Sequence, residues 1–405
     1  AGRRKPPQST DERPHMFNVN AQSEGRAGAV APKAVLSQRG RAGMEILGSL
    51  QVMSARELRP RARADFEGLE EAQHLVAQHA ADGGEAPRET RGRIACAREL
   101  ADTLPMFRLE RFLQRYVAEE NFNFGIPAIE ERRSQFEAAM NAPIDQPAGG
   151  ELELDPALEF PGYYAGVDWH LEPGGWDGWD LYGALFAYAV GPYVFSRGGY
   201  AAVGVDTHIG QQRVDTVSQL PRDSYGRIFE PGCGGAPTAI ALHRVYPDAE
   251  LVACDLSPSL LRNGHRLMER LGIPVKLKKR DCTATGEADD SFDAVVTYAL
   301  HHELPPAENR KLFREMHRIL KPGGDIVISD PPPFRAVDLF HAVVLDWDTE
   351  GRAEPFFRAV LLSDMREQLQ EAGFVAVESY AIGPDWYPYI TRARKAEAAP
   401  AEQAA

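Results

Sequence analysis

The chain has 405 residues, more than one domain usually holds, and its 43% hydrophobic and 26% charged residues match a soluble globular average with ample material for a core. A formal net charge of −14 opposes the phosphate backbone of DNA or RNA, so no nucleic-acid partner is expected. The longest charge-free stretch, Leu181 to Ser196, falls short of the ~20 residues of a membrane span and is broken by Gly191-Pro192, so no membrane partner is expected either.

Residues 1–30 are polar and rich in Arg, Pro, Gln and Ser, which predicts a disordered tail. His15-Met16 has the look of a cloning junction, which would make Met16 the natural start. Over 31–150 apolar residues recur at helical spacing, as in Ile46, Leu47, Leu50 and Met53, or Leu109, Phe112, Leu113, Tyr116 and Val117. This predicts a helical N-terminal domain, interrupted at Asp82-Gly83-Gly84 and closed by the turn formers of 141–150. Its expected roles are homodimerisation and cover for a substrate.

Residues 151–221 form an aromatic-rich connector that includes Tyr163, Tyr164, Trp169, Trp176, Trp179, Tyr182 and Phe186. Such a cluster most simply buries area, and its functional alternative is a lid with flat apolar walls. His170, Trp176, Trp179 and Tyr182 are the candidate substrate contacts within it.

From 222 to 394 strands alternate with helices, the mark of a parallel sheet with crossover helices. Arg227–Glu230 is the first strand, Glu250–Asp255 the second, and Val275 and Leu277 alternate with lysines in a third that suits a sheet edge. Phe292–Tyr298 is the fourth strand and Asp325–Asp330 the fifth, followed by a helical insertion over about 335–362. Val375–Ile382 and Trp386–Thr391 are two last strands, easily antiparallel, and 395–405 is a low-complexity tail. Cys96, Cys233, Cys254 and Cys282 show no paired spacing, so free thiols in a reducing cytoplasm are expected.

The turn Glu230-Pro-Gly-Cys-Gly234 places bare backbone and a helix N-terminus against a ligand. A dinucleotide fingerprint would need glycine at Pro237, and Glu230 would repel a pyrophosphate. A cation suits the turn better, and S-adenosylmethionine carries an ammonium and a sulfonium. Asp255 ends the second strand where an acid accepts ribose hydroxyls, with Leu256 next to it. Asp281-Cys282 ends the third strand, where a carboxylate can meet an adenine amino group.

With Ile228-Phe-Glu-Pro-Gly-Cys-Gly-Gly235, Ser291 to His302 and Arg318-Ile-Leu-Lys-Pro-Gly-Gly324 in order, the segment 222–394 resembles the class I S-adenosylmethionine-dependent methyltransferases. The family usually has a third glycine where Ala236 stands, a mild departure. The resemblance implies an α/β, Rossmann-like seven-stranded sheet with its last strand antiparallel. It also implies a cofactor site of Glu230, Gly232, Gly234, Asp255, Asp281 and Cys282, with Tyr298 nearby. Asp330-Pro-Pro-Pro333 is similar to an element of DNA adenine methyltransferases, but it follows the fifth strand rather than the fourth.

Leu300-His301-His302-Glu303 resembles the segment in which small-molecule O-methyltransferases carry a histidine base, so His301 and His302 are the catalytic candidates. His341, Asp346 and Asp348 in the insertion are secondary candidates for substrate contact. No metal site is expected, because adjacent residues project differently and no second ligand cluster is visible. The expected reaction is methyl transfer from S-adenosylmethionine to oxygen or carbon of a small, apolar or aromatic molecule of the secondary-metabolite kind. The alternatives are cyclisation or decarboxylation on the same fold, or a non-catalytic assembly module.

Overall fold

A computed structural model describes residues 34–82, 87–198 and 209–397. The predicted tail over 1–30, the Gly83-Gly84 interruption and the end of the chain from 398 lie outside them. Eight strands form one sheet in the order β1-β4-β3-β2-β5-β6-β8-β7. In chain order they are β1 Glu151–Glu153, β2 Arg227–Pro231, β3 Glu250–Asp255, β4 Val275–Lys279, β5 Phe292–Tyr298, β6 Leu320–Asp330, β7 Phe374–Ala381 and β8 Tyr389–Lys395. Strands β1 to β6 are mutually parallel, and β8 runs antiparallel to both β6 and β7.

Two expectations need correction. The sheet has eight strands rather than seven, and β4 is not its edge. The eighth strand, β1, comes from the connector and covers β4, where Glu151 pairs with Lys276 at 3.4 Å. Of the alternating lysines that suggested an edge, Lys276 pairs with this strand, which is too short to recognise, and Lys278 pairs with Glu287. Lys395, assigned to the tail, is the last residue of β8 and donates to the His317 and Leu320 carbonyls.

The pleat divides the apolar strand residues between two cores. Ile228, Leu251 and Val296 face α8 (Ile209–Val217), α9 (Pro237–Val245) and α10 (Pro258–Leu271). Phe229, Val252 and Val295 face α11 (Pro306–Ile319) and α14 (Met365–Glu371). Helix α10 starts with a Ser257 cap and Pro258 in its first turn, and it ends at Gly272 in the left-handed region.

The N-terminal helices are α1 Gln38–Met53, α2 Arg59–Glu67, α3 Glu70–Asp82, α4 Pro87–Ala101, α5 Pro105–Glu130 and α6 Arg133–Asn141. Helices α2 to α5 share a core with the insertion helices α12 (Leu339–Gly351) and α13 (Phe357–Leu362), through Phe66, Phe107, Phe340 and Phe357. Helices α1, α5 and α6 pack on the connector helix α7 (Tyr182–Leu185) and the wider π-helical turns of Phe186–Phe195. Arg266 and Arg270 of α10 donate to the Ala139, Met140 and Ala142 carbonyls, which caps the end of α6.

A Cβ on Gly264 of α10 would lie 2.6 Å from the Gly235 carbonyl oxygen, so this helix packs its backbone directly on the glycine turn after β2. Gly264→Ala is expected to push the two apart and cost about 1–3 kcal/mol. Urea unfolding would read this as a lower midpoint at unchanged slope, and an unchanged midpoint would refute the contact.

Candidate active site

Parallel strands place their C-terminal ends on one rim, and the acids of this chain collect there. Glu230 precedes the last residue of β2, Asp255 ends β3, Asp281 follows β4 and Asp330 ends β6. Gly232 and Gly234, at φ +63° and +53°, turn the chain from β2 toward α9. A Cβ on Gly234 would meet nothing nearer than Leu260 Cδ1 at 4.0 Å, so the space before it is open. Ala236 is also left-handed, at φ +58°. The departure from the usual glycine therefore carries backbone strain of about 1 kcal/mol as well as a methyl.

Asp255 Oδ2 accepts the Gly234 amide at 2.7 Å and Oδ1 the Ser257 amide at 2.9 Å, which fixes the carboxylate across the turn. Burial holds its pKa above the ordinary value against these amides. Glu230 is 3% exposed, and burial pushes its pKa up to about 7 although Thr238 and Arg213 oppose the shift. Its Oε2 has no hydrogen-bond partner among the described residues. An orphaned buried carboxylate oxygen beside an open glycine turn fits a cationic amine.

Leu256 follows Asp255, half-buried on the rim. Asp281 Oδ1 accepts the amide and the hydroxyl of Thr283, both at 2.8 Å, and burial raises the pKa of the neighbouring Cys282 thiol. Tyr298 is the last residue of β5. Its hydroxyl donates to Gln212 Oε1 at 3.0 Å and its ring lies under the Arg213 guanidinium at 4.0 Å. It reaches the turn only through Arg213, which donates to Thr238 Oγ1 at 2.7 Å and acts on Glu230.

The connector lies over this rim. The Ser257 hydroxyl donates to the Trp176 carbonyl at 3.1 Å, and Ser259 donates to that of Asp180 at 2.8 Å. Asp281 and Cys282 act on the Tyr163 phenol, and Asp255 and Glu303 act on that of Tyr164. These two tyrosines were read only as part of the aromatic segment, because strand-end spacing cannot say which aromatic falls on which acid.

His301 and His302 project to opposite sides of the loop after β5. His301 is fully buried, with Nε2 3.0 Å from Thr297 Oγ1 and Nδ1 2.7 Å from Asn309 Oδ1, and it stacks on Phe313. Asn309 uses its amide nitrogen on the His301 and Leu304 carbonyls, so its oxygen accepts from Nδ1 and Nε2 accepts from Thr297. Both ring nitrogens are thus consumed inside the core, and the base role expected of His301 is corrected to a structural one.

His302 holds Asp330 Oδ1 through Nδ1 at 2.6 Å and turns Nε2 toward Glu303 Oε1, 3.9 Å away. Burial disfavours its charged ring, but Asp330, Glu354 and Glu303 outweigh this and raise its pKa to about 9. His170 joins the same group. Its Nε2 is 2.9 Å from Glu354 Oε1 and 3.6 Å from Glu303 Oε1, and its ring meets Trp176 edge-on at 5.0 Å.

Of the other substrate candidates, Trp179 donates to Glu130 at 2.8 Å and so anchors the connector to the helical region, whereas Tyr182 donates to the Pro173 carbonyl of the connector itself at 2.8 Å. His341 packs edge-on against Trp386. Asp346 pairs with Arg98 and Arg358, and Asp348 with Arg111. Only His170 and Trp176 of the predicted substrate contacts adjoin the rim.

A family model described as a methyltransferase domain matches residues 228–324, from β2 to the turn before the buried part of β6. This segment is a class I methyltransferase domain. A demethylmenaquinone methyltransferase of Thermus thermophilus is 32% identical over 143 residues, 35% of this chain and 62% of its own length. A ubiquinone/menaquinone biosynthesis C-methyltransferase of Syntrophotalea carbinolica is 28% identical over 29% of this chain and 49% of its own. Phosphoethanolamine N-methyltransferase 1 of Arabidopsis thaliana is 28% identical over 34% of this chain and 26% of its own. The chain thus spans less than two thirds of each of these relatives.

The cofactor of this methyltransferase family is S-adenosylmethionine, and the orphaned Glu230 oxygen and the open turn fit its ammonium. Because the Glu230 carboxyl titrates near 7, the cofactor's affinity is expected to rise with pH between about 5.5 and 7.5 as the proton is lost. Glu230→Gln should flatten that rise and weaken binding about 30-fold; calorimetric titration across this range would expose a flat wild-type profile. His301→Ala should instead cost about 2–4 kcal/mol of stability through its unsatisfied partners and cavity. A variant that unfolds at the wild-type temperature but loses turnover would return His301 to a chemical role.

Proposed function

We propose that this chain transfers the methyl group of S-adenosylmethionine to oxygen or carbon of a small, apolar or aromatic molecule. The observation that carries the reading is the junction of two half-sites on one rim. The Glu230–Gly234–Asp255 cradle lies on one side, and the group of His170, Trp176, His302 and Glu303 adjoins it. Ser257, whose amide holds Asp255, donates its hydroxyl to the Trp176 carbonyl at 3.1 Å, and the Trp176 ring meets His170 at 5.0 Å, so the two halves are neighbours.

Glu230 and Asp255 would hold the ammonium and the ribose, Asp281 and Cys282 the adenine edge, and Tyr163 and Tyr164 would cover them. When bound, the cofactor supplies an electrophilic methyl group on a sulfonium. The residues of this chain align an acceptor against it and exclude water, which is the larger part of such catalysis. The rings of Trp176 and Phe186, 5.7 Å apart, offer an apolar wall for a flat acceptor. In the polar group around His302, the Glu303 carboxylate is where an acceptor hydroxyl would meet a proton acceptor, while the His302 imidazolium that Asp330 orients stays charged beside it. An acceptor that reacts at carbon would use the same wall and the same polar contact.

Incubation with methyl-labelled cofactor and a panel of phenols, quinols and other small hydroxylated aromatics tests the reading. Label is expected in a neutral, extractable product. Asp255→Ala should abolish both cofactor binding and labelling, whereas His302→Ala should lower turnover at least tenfold and leave cofactor affinity within about twofold. Conversion of an acceptor with the label left on the cofactor would overturn methyl transfer in favour of another reaction on the same fold.

A further inference from the structure

The group beside the cofactor turn brings side chains together from three distant segments. His170 comes from the connector, His302 and Glu303 from the loop after β5, and Glu354 from the loop after α12. One ligand-capable atom from each of His170, His302 and Glu303 lies within 4.8 Å of the others. Around an ion with bonds of about 2.0–2.2 Å, neighbouring ligand atoms stand about 3–3.5 Å apart, so modest side-chain rotations close the group.

Three further observations point to a ligand. First, His302 carries an outer carboxylate: Asp330 holds its Nδ1 at 2.6 Å and leaves Nε2 to the group, the arrangement that orients a metal-binding imidazole. Second, Glu172 is 1% exposed, its Oε2 has no hydrogen-bond partner among the described residues, and Glu303 and Glu354 act on it. The charges acting most strongly on Glu303 come from His170, His302, Glu354 and Asp255, with no lysine or arginine among them. The side chains that meet here, four carboxyls (Glu172, Glu303, Asp330, Glu354) and two imidazoles, are a donor set that suits a divalent cation.

Third, the backbone is strained where the ligands meet. His170 and Leu171 are consecutive left-handed residues, at φ +53° and +67°, and Ala353, next to Glu354, is left-handed at +53°. The His170 amide donates to the Ala353 carbonyl at 3.3 Å, so the strained pieces clasp each other. Non-glycine residues in this region cost about 1 kcal/mol or more each, and they persist where a site requires them.

The geometry points to a divalent transition-metal site formed by His170, His302 and Glu303, with Glu354 as a fourth ligand, in the pocket that receives the acceptor. Two imidazoles with carboxylates suit Zn2+, Fe2+, Co2+ or Mn2+ rather than Mg2+ or Ca2+, which prefer oxygen. The inference extends the acceptor site proposed above, where an oxygen of the acceptor would be a further ligand. Ion binding is nevertheless measurable without any turnover.

The test uses the full chain, stripped with a chelator, dialysed and titrated with Co2+. Expected are one ion per chain, a visible absorption band from the bound ion, and its loss on addition of Zn2+. His170→Gln and Glu303→Gln should each weaken binding at least tenfold, with the thermal midpoint of the ion-free protein and its cofactor affinity reporting that the variants are folded. Saturating ion should raise the midpoint of the wild type and leave those of the variants unmoved. No stoichiometric binding by the wild type, or binding of wild-type strength in both folded variants, would overturn the site. A wild type that binds Co2+ but not S-adenosylmethionine would sink the methyl-transfer reading and leave the metal site standing.

Discussion

Burial of carboxylates on one rim of a parallel sheet is the constraint around which this molecule is arranged. Parallel pairing of β2, β3, β4, β5 and β6 puts Glu230, Asp255, Asp281 and Asp330 at the same end. Each pays desolvation, and each has a different answer to it. Asp255 takes backbone amides, Asp281 takes Thr283, Asp330 takes His302 on one oxygen, and Glu230 and Asp330 each keep the other oxygen with no partner among the described residues. The Glu230 oxygen, beside the open glycine turn, is where a cationic ligand gains most, because the cost of removing the acid from water is already met by the fold.

The helical region earns its place by completing this rim. Glu110 and Arg111 of α5 form a buried network with Arg59 and with Asp348 of α12, at 3.1 Å from Arg59 Nε and 3.3 Å from Arg111 Nη1 respectively. Such a network offers little net stability, yet it punishes any other placement of the helices, since a buried charge without its partner is costly. It thereby fixes α12, and with it the loop after α12 that carries Glu354. On the other side, Arg133 joins Asp180 at 2.9 Å and Trp179 joins Glu130, which ties the connector and hence His170 to the same helices.

The sheet was legible because its signals are local. The buried runs of β2, β3 and β5 and the glycine turn that follows β2 each follow from a few consecutive residues. The short strand β1 was not, since three residues carry no period, and its partner β4 was mistaken for an edge. The histidine pair shows the same limit. One residue of offset sends His301 into a core of Thr297, Asn309 and Phe313 and His302 toward Glu303, and Leu-His-His-Glu looks the same in either case.

What the amino-acid sequence determined alone is the methyltransferase sheet and its glycine turn, because chain order, glycine positions and strand-end acids are properties of short segments. Tertiary structure decided which side chains gather beside that turn. His170, His302, Glu303 and Glu354 meet only after the connector and the β6 insertion fold over the rim, and contacts between segments so far apart in the chain leave no periodicity or spacing to read.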